Sequence, residues 1–519
     1  MKLILTLLAA NAVCGAQPAP EPVRPPFAAP CPVCTAFDRF YDARDNALAW
    51  TGRADPALYE TLLGAVRAAA VHGLDPEHYS YSALEAGDPR RADRDLDETA
   101  TRAWLDLAHD LANGRLDPRR IEPGWSLPPR DVDLAARLER ALETGDVAGS
   151  LTELAPQDAG YRQLQAGLSG FRDVAAKGAW PTIAPGPALH PQDRGPRVAQ
   201  LRARLEATGA VTLQVPAEAR DLFDADMAAA VLRLQRRAHL EDDGVVGVEM
   251  LAWLNTPAPD RVRQIAANLE RRRWHPAGQA PRSLRVNIPD FTLAVMEDAE
   301  VVARHRVIVG RRSRQTPVFS ADMAYLILNP WWETPHSLAV RDELPAFRAD
   351  PEAVERLGFQ ILDLDGNIID SSEIDWNLVP ARDFPYRLRQ APGPLNALGE
   401  VKFIFPNPHN TYLHDTPARH LFGESRRTFS SGCMRVDRPA DLAHWVTSGL
   451  RDWPAKRVDA VMAGDAETRI DLDVRIPVDV VYWTVVPGQR SGIRFVADPY
   501  DKDSHIIDEL SGGGSADQE

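Results

Sequence analysis

Two residues in this sequence have the chemistry of a nucleophile and its base. Cys433 lies in Phe429-Ser430-Ser431-Gly432-Cys433-Met434-Arg435-Val436, nineteen residues after His414 in His414-Asp415-Thr416-Pro417. At an ordinary pKa of about 8.5 only a few per cent of a thiol is ionised at neutral pH, whereas beside a histidine most of it can be thiolate. Gly432 lets the backbone approach closely, and the amides of Gly432 and Cys433 could converge on a developing oxyanion, typically worth a few kcal/mol. This reading expects a Cys433 pKa below the ordinary value. Two other readings use the same residues: a non-catalytic binding scaffold in which Cys433 is inert, and a zinc-dependent hydrolase drawing on His409, His414, His420 and Cys433, which lack a recognised ligand spacing.

The cysteine count isolates Cys433. The chain has four cysteines, and Met1-Lys2, an apolar run from Leu3 to Val13 and Cys14-Gly15-Ala16 read as a signal peptide over residues 1–16, cleaved after Ala16. Lipidation at Cys14 is the alternative, with the bulky Val13 against it. Cys31-Pro32-Val33-Cys34 falls in a Pro-rich linker over residues 17–36 and is expected to close a local disulfide in an oxidising compartment. Cys433 is then a free thiol in an exported, periplasmic protein. No other stretch approaches the roughly 20 apolar residues of a membrane-spanning helix.

The elements that position the thiol follow from periodicity. Residues 37–180 read as a helical scaffold, with Tyr59, Leu62, Leu63, Val66, Ala69 and Ala70 on one stripe and Trp104, Leu107, Ala108 and Leu111 on another, its charged residues a solvated face. Residues 190–256 carry three short helices: Val198, Leu201 and Leu205, then Met227, Val231 and Leu234 capped by Asp224 or Asp226, then a last helix ending near Leu254. After a helix from Asp260 to Trp274 the period changes from 3.6 to 2. Leu284, Val286 and Ile288, then Phe291, Leu293 and Val295, open a mainly β domain over 283–500. Residues 341–394 interrupt it as a helical and loop insertion, expected to form a mobile cap over the cleft, and 501–519 read as a disordered tail. The fold class is multidomain α+β.

Two resemblances sharpen this. Arg197-Val198 through Leu205, Ala230-Val231 through Gln235, and Asp243-Gly244-Val245-Val246-Gly247 resemble the small three-helix peptidoglycan-binding domain. His414-Asp415-Thr416-Pro417 followed by Ser430-Ser431-Gly432-Cys433-Met434-Arg435-Val436 resembles the signature of the L,D-transpeptidases, whose catalytic domain is of the YkuD type. Ser431 and Arg435 stand where the common signature has histidine and asparagine, a departure that matches the large multidomain Gram-negative branch of that family. Asn287-Ile288-Pro289, Val307-Ile308-Val309-Gly310 to Thr316-Pro317 and Asn329-Pro330-Trp331-Trp332 follow the same branch's order.

The resemblance implies that Cys433 attacks the third-residue carbonyl of a peptidoglycan stem tetrapeptide, releases D-alanine and passes the acyl group to an amine of another stem, giving a 3-3 cross-link. Under it His414 is general base and acid, oriented by a backbone carbonyl, plausibly that of Asp415, and Gly432 and Cys433 supply oxyanion donors. Arg435 holds a substrate carboxylate or makes a structural ion pair. Tyr412 could line the cleft, Ser431 is a further candidate for substrate contact, and Trp331 and Trp332 pack in core or insertion or contact the donor. No metal or cofactor is implied, and carbapenems are the expected acylating inhibitors. With 59 basic against 74 acidic side chains, a net charge of −15, the chain lacks the basic footprint of a nucleic-acid partner.

Overall fold

A computed structural model describes residues 31–122, 125, 127–178, 180–208, 217–275, 280–488 and 492–512. The expected signal peptide, most of the Pro-rich linker and the last seven residues lie outside these.

The CxxC segment differs from the linker expected of it. Cys31 and Cys34 are disulfide-bonded, and helix Pro32–Asp42 starts between them with Pro32 at its first turn, burying Phe37, Phe40 and Tyr41 in the scaffold. Proline fits there because the first-turn amide has no helical partner to lose. The scaffold core follows the two expected stripes: Tyr59, Leu62, Val66 and Ala69 pack with Trp104, Leu107, Ala108 and Leu111 of helix Arg94–Asn113. Not every acidic residue there faces solvent. Asp97 is fully buried and accepts from the amides of Ala49, Trp50 and Thr51 at 3.0, 2.7 and 2.9 Å and from the Tyr41 hydroxyl at 2.7 Å.

The three-helix unit comprises Pro196–Ala207, Ala225–Ala238 and Val248–Asn255, with Val198, Leu201, Leu205, Met227, Val231 and Leu254 in its own core. Asp224 is the cap, its carboxylate accepting from the Met227 amide at 2.9 Å. This unit touches the β domain through Asp242 with Ser425, Glu249 with Arg426 and His239 with Asp290.

The β domain uses β1 (Arg282–Asn287), β2 (Thr292–Glu297), β3 (Glu300–Gly310), β4 (Phe319–Leu328), β5 (Trp332–Glu333), β6 (Phe359–Leu362), β7 (Ile368–Ile369), β8 (Arg387–Gln390), β9 (Val401–Ile404), β10 (Leu413–His414), β11 (Thr428–Ser430), β12 (Met434–Val436) and β13 (Thr468–Val481). One sheet runs β11-β3-β12-β10-β9-β4-β13-β1-β2 and closes on itself because β2 also pairs with the long β3. Residues spaced by two share a face, so Val307, Val401, Phe403, Leu413, Met434 and Val436 point together into one apolar core. The intervening residues of β9, β10 and β12 project on the other side.

The insertion is a folded subdomain that begins before residue 341. Its sheet runs β5-β8-β6-β7, and Trp332 on β5 pairs with Gln390 on β8, so its boundary falls at the tryptophan pair. Phe347, Phe359, Trp376 and Leu388 give it a separate core. The tail is also ordered where it is described: helix Asp503–Leu510 buries Ile506 and presents Asp503 to Arg271.

Helix Ala258–Arg273 joins these units. Its Ile265 and Leu269 pack in the scaffold core and its Ala267 in the β-domain core. Arg271 pairs with Asp503, and Asn268 donates to the Thr484 hydroxyl at 2.8 Å. Among the described residues, no helix is long and apolar enough to cross a membrane. Removing one member of a buried pair strands the other charge, at a typical cost of about 3–5 kcal/mol. Asp503→Ala should therefore lower the denaturant midpoint markedly, whereas Arg271→Met with Asp503→Leu together should recover most of it; a single variant as stable as the parent would show that the pair holds nothing.

Candidate active site

The thiol loop is fixed from below by hydroxyls. Thr316 Oγ1 accepts from the Gly310 amide and donates to the Gly432 carbonyl, both at 2.9 Å, while the Tyr500 hydroxyl donates to the Gly310 carbonyl at 2.6 Å and accepts from the Thr316 amide at 3.2 Å. Only glycine fits at 310, since a Cβ would lie 2.1 Å from the Arg314 carbonyl oxygen. Gly432 has φ of +117°, open to glycine and strained for other residues. Its amide donates to Ser430 Oγ at 3.1 Å, and that hydroxyl donates to the Cys433 carbonyl at 2.6 Å. The expected pair of oxyanion amides is thus reduced in this conformation, with Gly432's already engaged.

Parallel pairing of β10 and β12 sets His414 opposite Arg435, and antiparallel pairing of β10 and β9 sets His414 opposite Lys402. With Leu413, Met434 and Phe403 committed to the core, Tyr412, His414, Cys433, Arg435 and Lys402 share the face away from it. The Met434 amide donates to the Tyr412 carbonyl at 3.0 Å, which sets Tyr412 next to Cys433, where it favours the anionic form of the sulfur. His414 is buried, and its Nδ1 lies 2.5 Å from the carbonyl oxygen of Asp415. A carbonyl only accepts, so Nδ1 carries the proton and Nε2 keeps the lone pair. Asp415 is held in turn, its Oδ2 accepting from the Glu400 amide at 3.0 Å and from Arg419 at 3.1 Å.

Electrostatics correct the expectation of an ionised thiol. Burial pushes the Cys433 thiol above its ordinary value, outweighing Tyr412 and the positive charges of Lys402 and Arg435. Burial also lowers His414 to about 3, helped by Arg435 and Lys402 and opposed by the Asp415 carbonyl. Both shifts favour the neutral forms, a thiol and a lone-pair imidazole.

The remaining candidates divide. Arg435 is half-buried and its Nε has no hydrogen-bond partner, which leaves a donor for an incoming anion. Ser431 is exposed and its Oγ accepts from Arg311 and Arg314, each at 3.0 Å; Arg314 also pairs with Asp342 of the cap. Trp331 and Trp332 belong to the root of the cap: Trp331 lies under the Arg389 guanidinium and Trp332 tilts against Phe359. These contacts are the insertion packing expected as one of their two roles. Among the described residues no three His, Cys, Asp or Glu side chains group as metal ligands. Sequence reasoning passed over Lys402, whose strand position gave only a solvated-lysine signal.

Three family models match the chain: "Scaffold domain" over residues 35–168, "Putative peptidoglycan binding domain" over 194–254 and "L,D-transpeptidase catalytic domain" of the YkuD type over 281–462. A curated relative from Haemophilus influenzae, named "Putative L,D-transpeptidase", is 37% identical over 222 residues. The alignment covers 43% of this chain and 44% of the relative, so less than half of that protein's length is spanned. The solved L,D-transpeptidase (residues 123–326) of Xylanimonas cellulosilytica aligns at 15% identity with a TM-score of 0.19, covering 57% of this chain and 98% of that one. The L,D-transpeptidase (Yku) of Stackebrandtia nassauensis aligns at 13% identity with a TM-score of 0.20, covering 60% and 98%. The strands that carry His414 and follow Cys433 fall inside residues 281–462, which match the L,D-transpeptidase catalytic domain of the YkuD type, and the three-helix unit coincides with the match to the peptidoglycan-binding domain over 194–254.

Proposed function

We propose that the protein is a cysteine-dependent L,D-transpeptidase acting on peptidoglycan at the cell wall, exported to the periplasm. The observation that carries this reading is the single free thiol among the described residues, next to Tyr412 and on the same face as an imidazole whose Nδ1 proton is fixed by the Asp415 carbonyl. In the first half-reaction Cys433 sulfur forms a bond to the carbonyl carbon of the third residue of a stem tetrapeptide as its proton passes to His414 Nε2 and the carbonyl electron pair moves to oxygen. Collapse breaks the amide C–N bond; the leaving D-alanine takes the proton from His414 and a thioester remains. An amine of another stem then attacks, loses a proton to His414 and displaces the sulfur, which is reprotonated, leaving a 3-3 cross-link.

A neutral pair suits this sequence, because proton transfer is coupled to attack and no buried ion pair has to be maintained between turnovers. Arg435 offers its unpartnered Nε to a substrate carboxylate, a pairing that guanidinium geometry favours. The three-helix unit holds the enzyme on its polymeric substrate, which raises the local concentration of stems.

Cys433→Ala should lower transfer at least about 10³-fold, while Cys31→Ser with Cys34→Ser leaves turnover nearly intact. A carbapenem should add its mass once to the intact protein, by opening of its lactam on the thiol; an adduct retained in Cys433→Ala would place the nucleophile elsewhere.

The pH dependence separates a neutral pair from an ion pair. With His414 lowered to about 3 from the ordinary 6.5, the imidazole stays a base across roughly pH 5 to 8, so kcat/KM should show no acidic limb near 6.5. On the alkaline side, Cys433 alkylation should keep rising beyond the ordinary thiol value, since burial moves that ionisation upward. An alkylation plateau already reached at neutral pH would mean a preformed thiolate–imidazolium pair.

A further inference from the structure

Lys402 is the charged residue on the thiol's face to which the proposed reaction gives no task. It is half-buried on β9 between the fully buried Val401 and Phe403, so the strand cannot slide to release it. Its Nζ stands 4.1 Å from the centroid of the Tyr412 ring, within cation–π range. Tyr412 in turn stands next to Cys433, its carbonyl accepting from the Met434 amide at 3.0 Å, and the two side chains act on each other electrostatically. No carboxylate among the described residues pairs with Lys402; Glu467 acts on it only at longer range, next in effect to Cys433. Withdrawing an ammonium from water without a carboxylate partner is costly, and burial lowers its affinity for the proton. A neutral side chain of similar length would fill the same space without that cost.

We propose that Lys402 is a positioning residue for the nucleophile: its ammonium holds the Tyr412 ring next to Cys433, and its charge favours the anion that sulfur becomes as it attacks. This deepens the cysteine-transferase reading and rests on it. The charge arrives when needed. Burial favours the neutral thiol, so the ammonium gains its counter-charge as negative charge develops on sulfur, which is differential stabilisation of the reacting state. The groups that act on the sulfur with it are Tyr412, just before β10, and Arg435 from β12; His414 of β10 is acted on by Arg435 and Lys402, Arg311 acts on Arg435 and Glu467 on Lys402. Arg435 supplies charge from the opposite side of His414 and has no aromatic platform of its own, so the two cations differ in task.

The test is the pH profile of Cys433 alkylation by iodoacetamide in the full chain, with acyl transfer measured in parallel. Lys402→Met should raise the apparent thiol pKa by about one unit and slow alkylation at pH 7 about tenfold, while Lys402→Arg, which keeps the charge over the ring, should stay within about threefold of the parent. Lys402→Gln replaces the Met variant if the latter does not fold. An unshifted profile in the Met or Gln variant, or an Arg variant as slow as they are, overturns the assignment. The underlying reading fails separately: it falls if iodoacetamide modifies Cys433 of the parent without stopping acyl transfer, whereas a parent that is inactivated beside an unshifted Lys402 variant sinks only the role given to Lys402.

Discussion

Three consecutive buried arginines at the end of helix Ala258–Arg273 constrain the rest of this molecule. A desolvated guanidinium needs a partner, and each of the three finds it in a different direction. Arg271 pairs with Asp503 of the C-terminal helix; Arg272 reaches Asp158 of the scaffold and stacks 3.9 Å from the centroid of Trp483, just after β13; Arg273 pairs with Glu270 at 2.5 Å and donates to the His72 carbonyl and the Tyr161 hydroxyl of the scaffold. Burial alone would weaken all three, and it does lower Arg272 to about 10, but Arg271 is raised by Asp503 against that burial. The scaffold, the last helix and the far edge of the catalytic sheet are therefore tied to one turn of helix. Ordering of β13 there propagates through β4 and β9 to β10.

The site sits at the other end of that chain of strands and is built on an opposite electrostatic choice. At the end of the helix Arg271, Arg272 and Arg273 each have a carboxylate partner; around Cys433, Lys402 and Arg435 are cations without carboxylate partners among the described residues, in a protein whose net charge is −15. Uncompensated positive charge disfavours imidazolium and favours an anion, and it is an attractive surface for a substrate that carries carboxylates. The same burial that makes the field strong also raises the thiol's hold on its proton.

Much of this was legible in the sequence, because period and local motif are one-dimensional signals. Alternation in β1, β2, β9 and β10 separates core from face, and the lone Cys433 after Gly432, with His414 upstream, marks the chemistry. What escaped depends on partners distant in the chain. Asp503 looks like part of a polar tail until Arg271, 232 residues earlier, is seen beside it. The cap reads as interrupted polar text because Trp332 and Gln390 must meet before its sheet exists. Lys402 resembles any solvated strand lysine until register sets it against His414. The resting ionisation of Cys433 went the wrong way for a related reason: proximity of a histidine is visible in a motif, but the degree of burial that outweighs it is not.

The departure at Ser431 acquires a physical meaning from the same distant contacts. Its hydroxyl, one residue before Gly432, accepts from Arg311 and Arg314, and Arg314 is simultaneously bidentate to Asp342 on the cap. A guanidinium shared between a carboxylate and a hydroxyl is held in a fixed plane, so the inserted subdomain and the Ser431-Gly432-Cys433 loop are tied together by one side chain. An imidazole at residue 431 would sit among two arginines that already disfavour a second cation. A serine accepts from both at no charge cost.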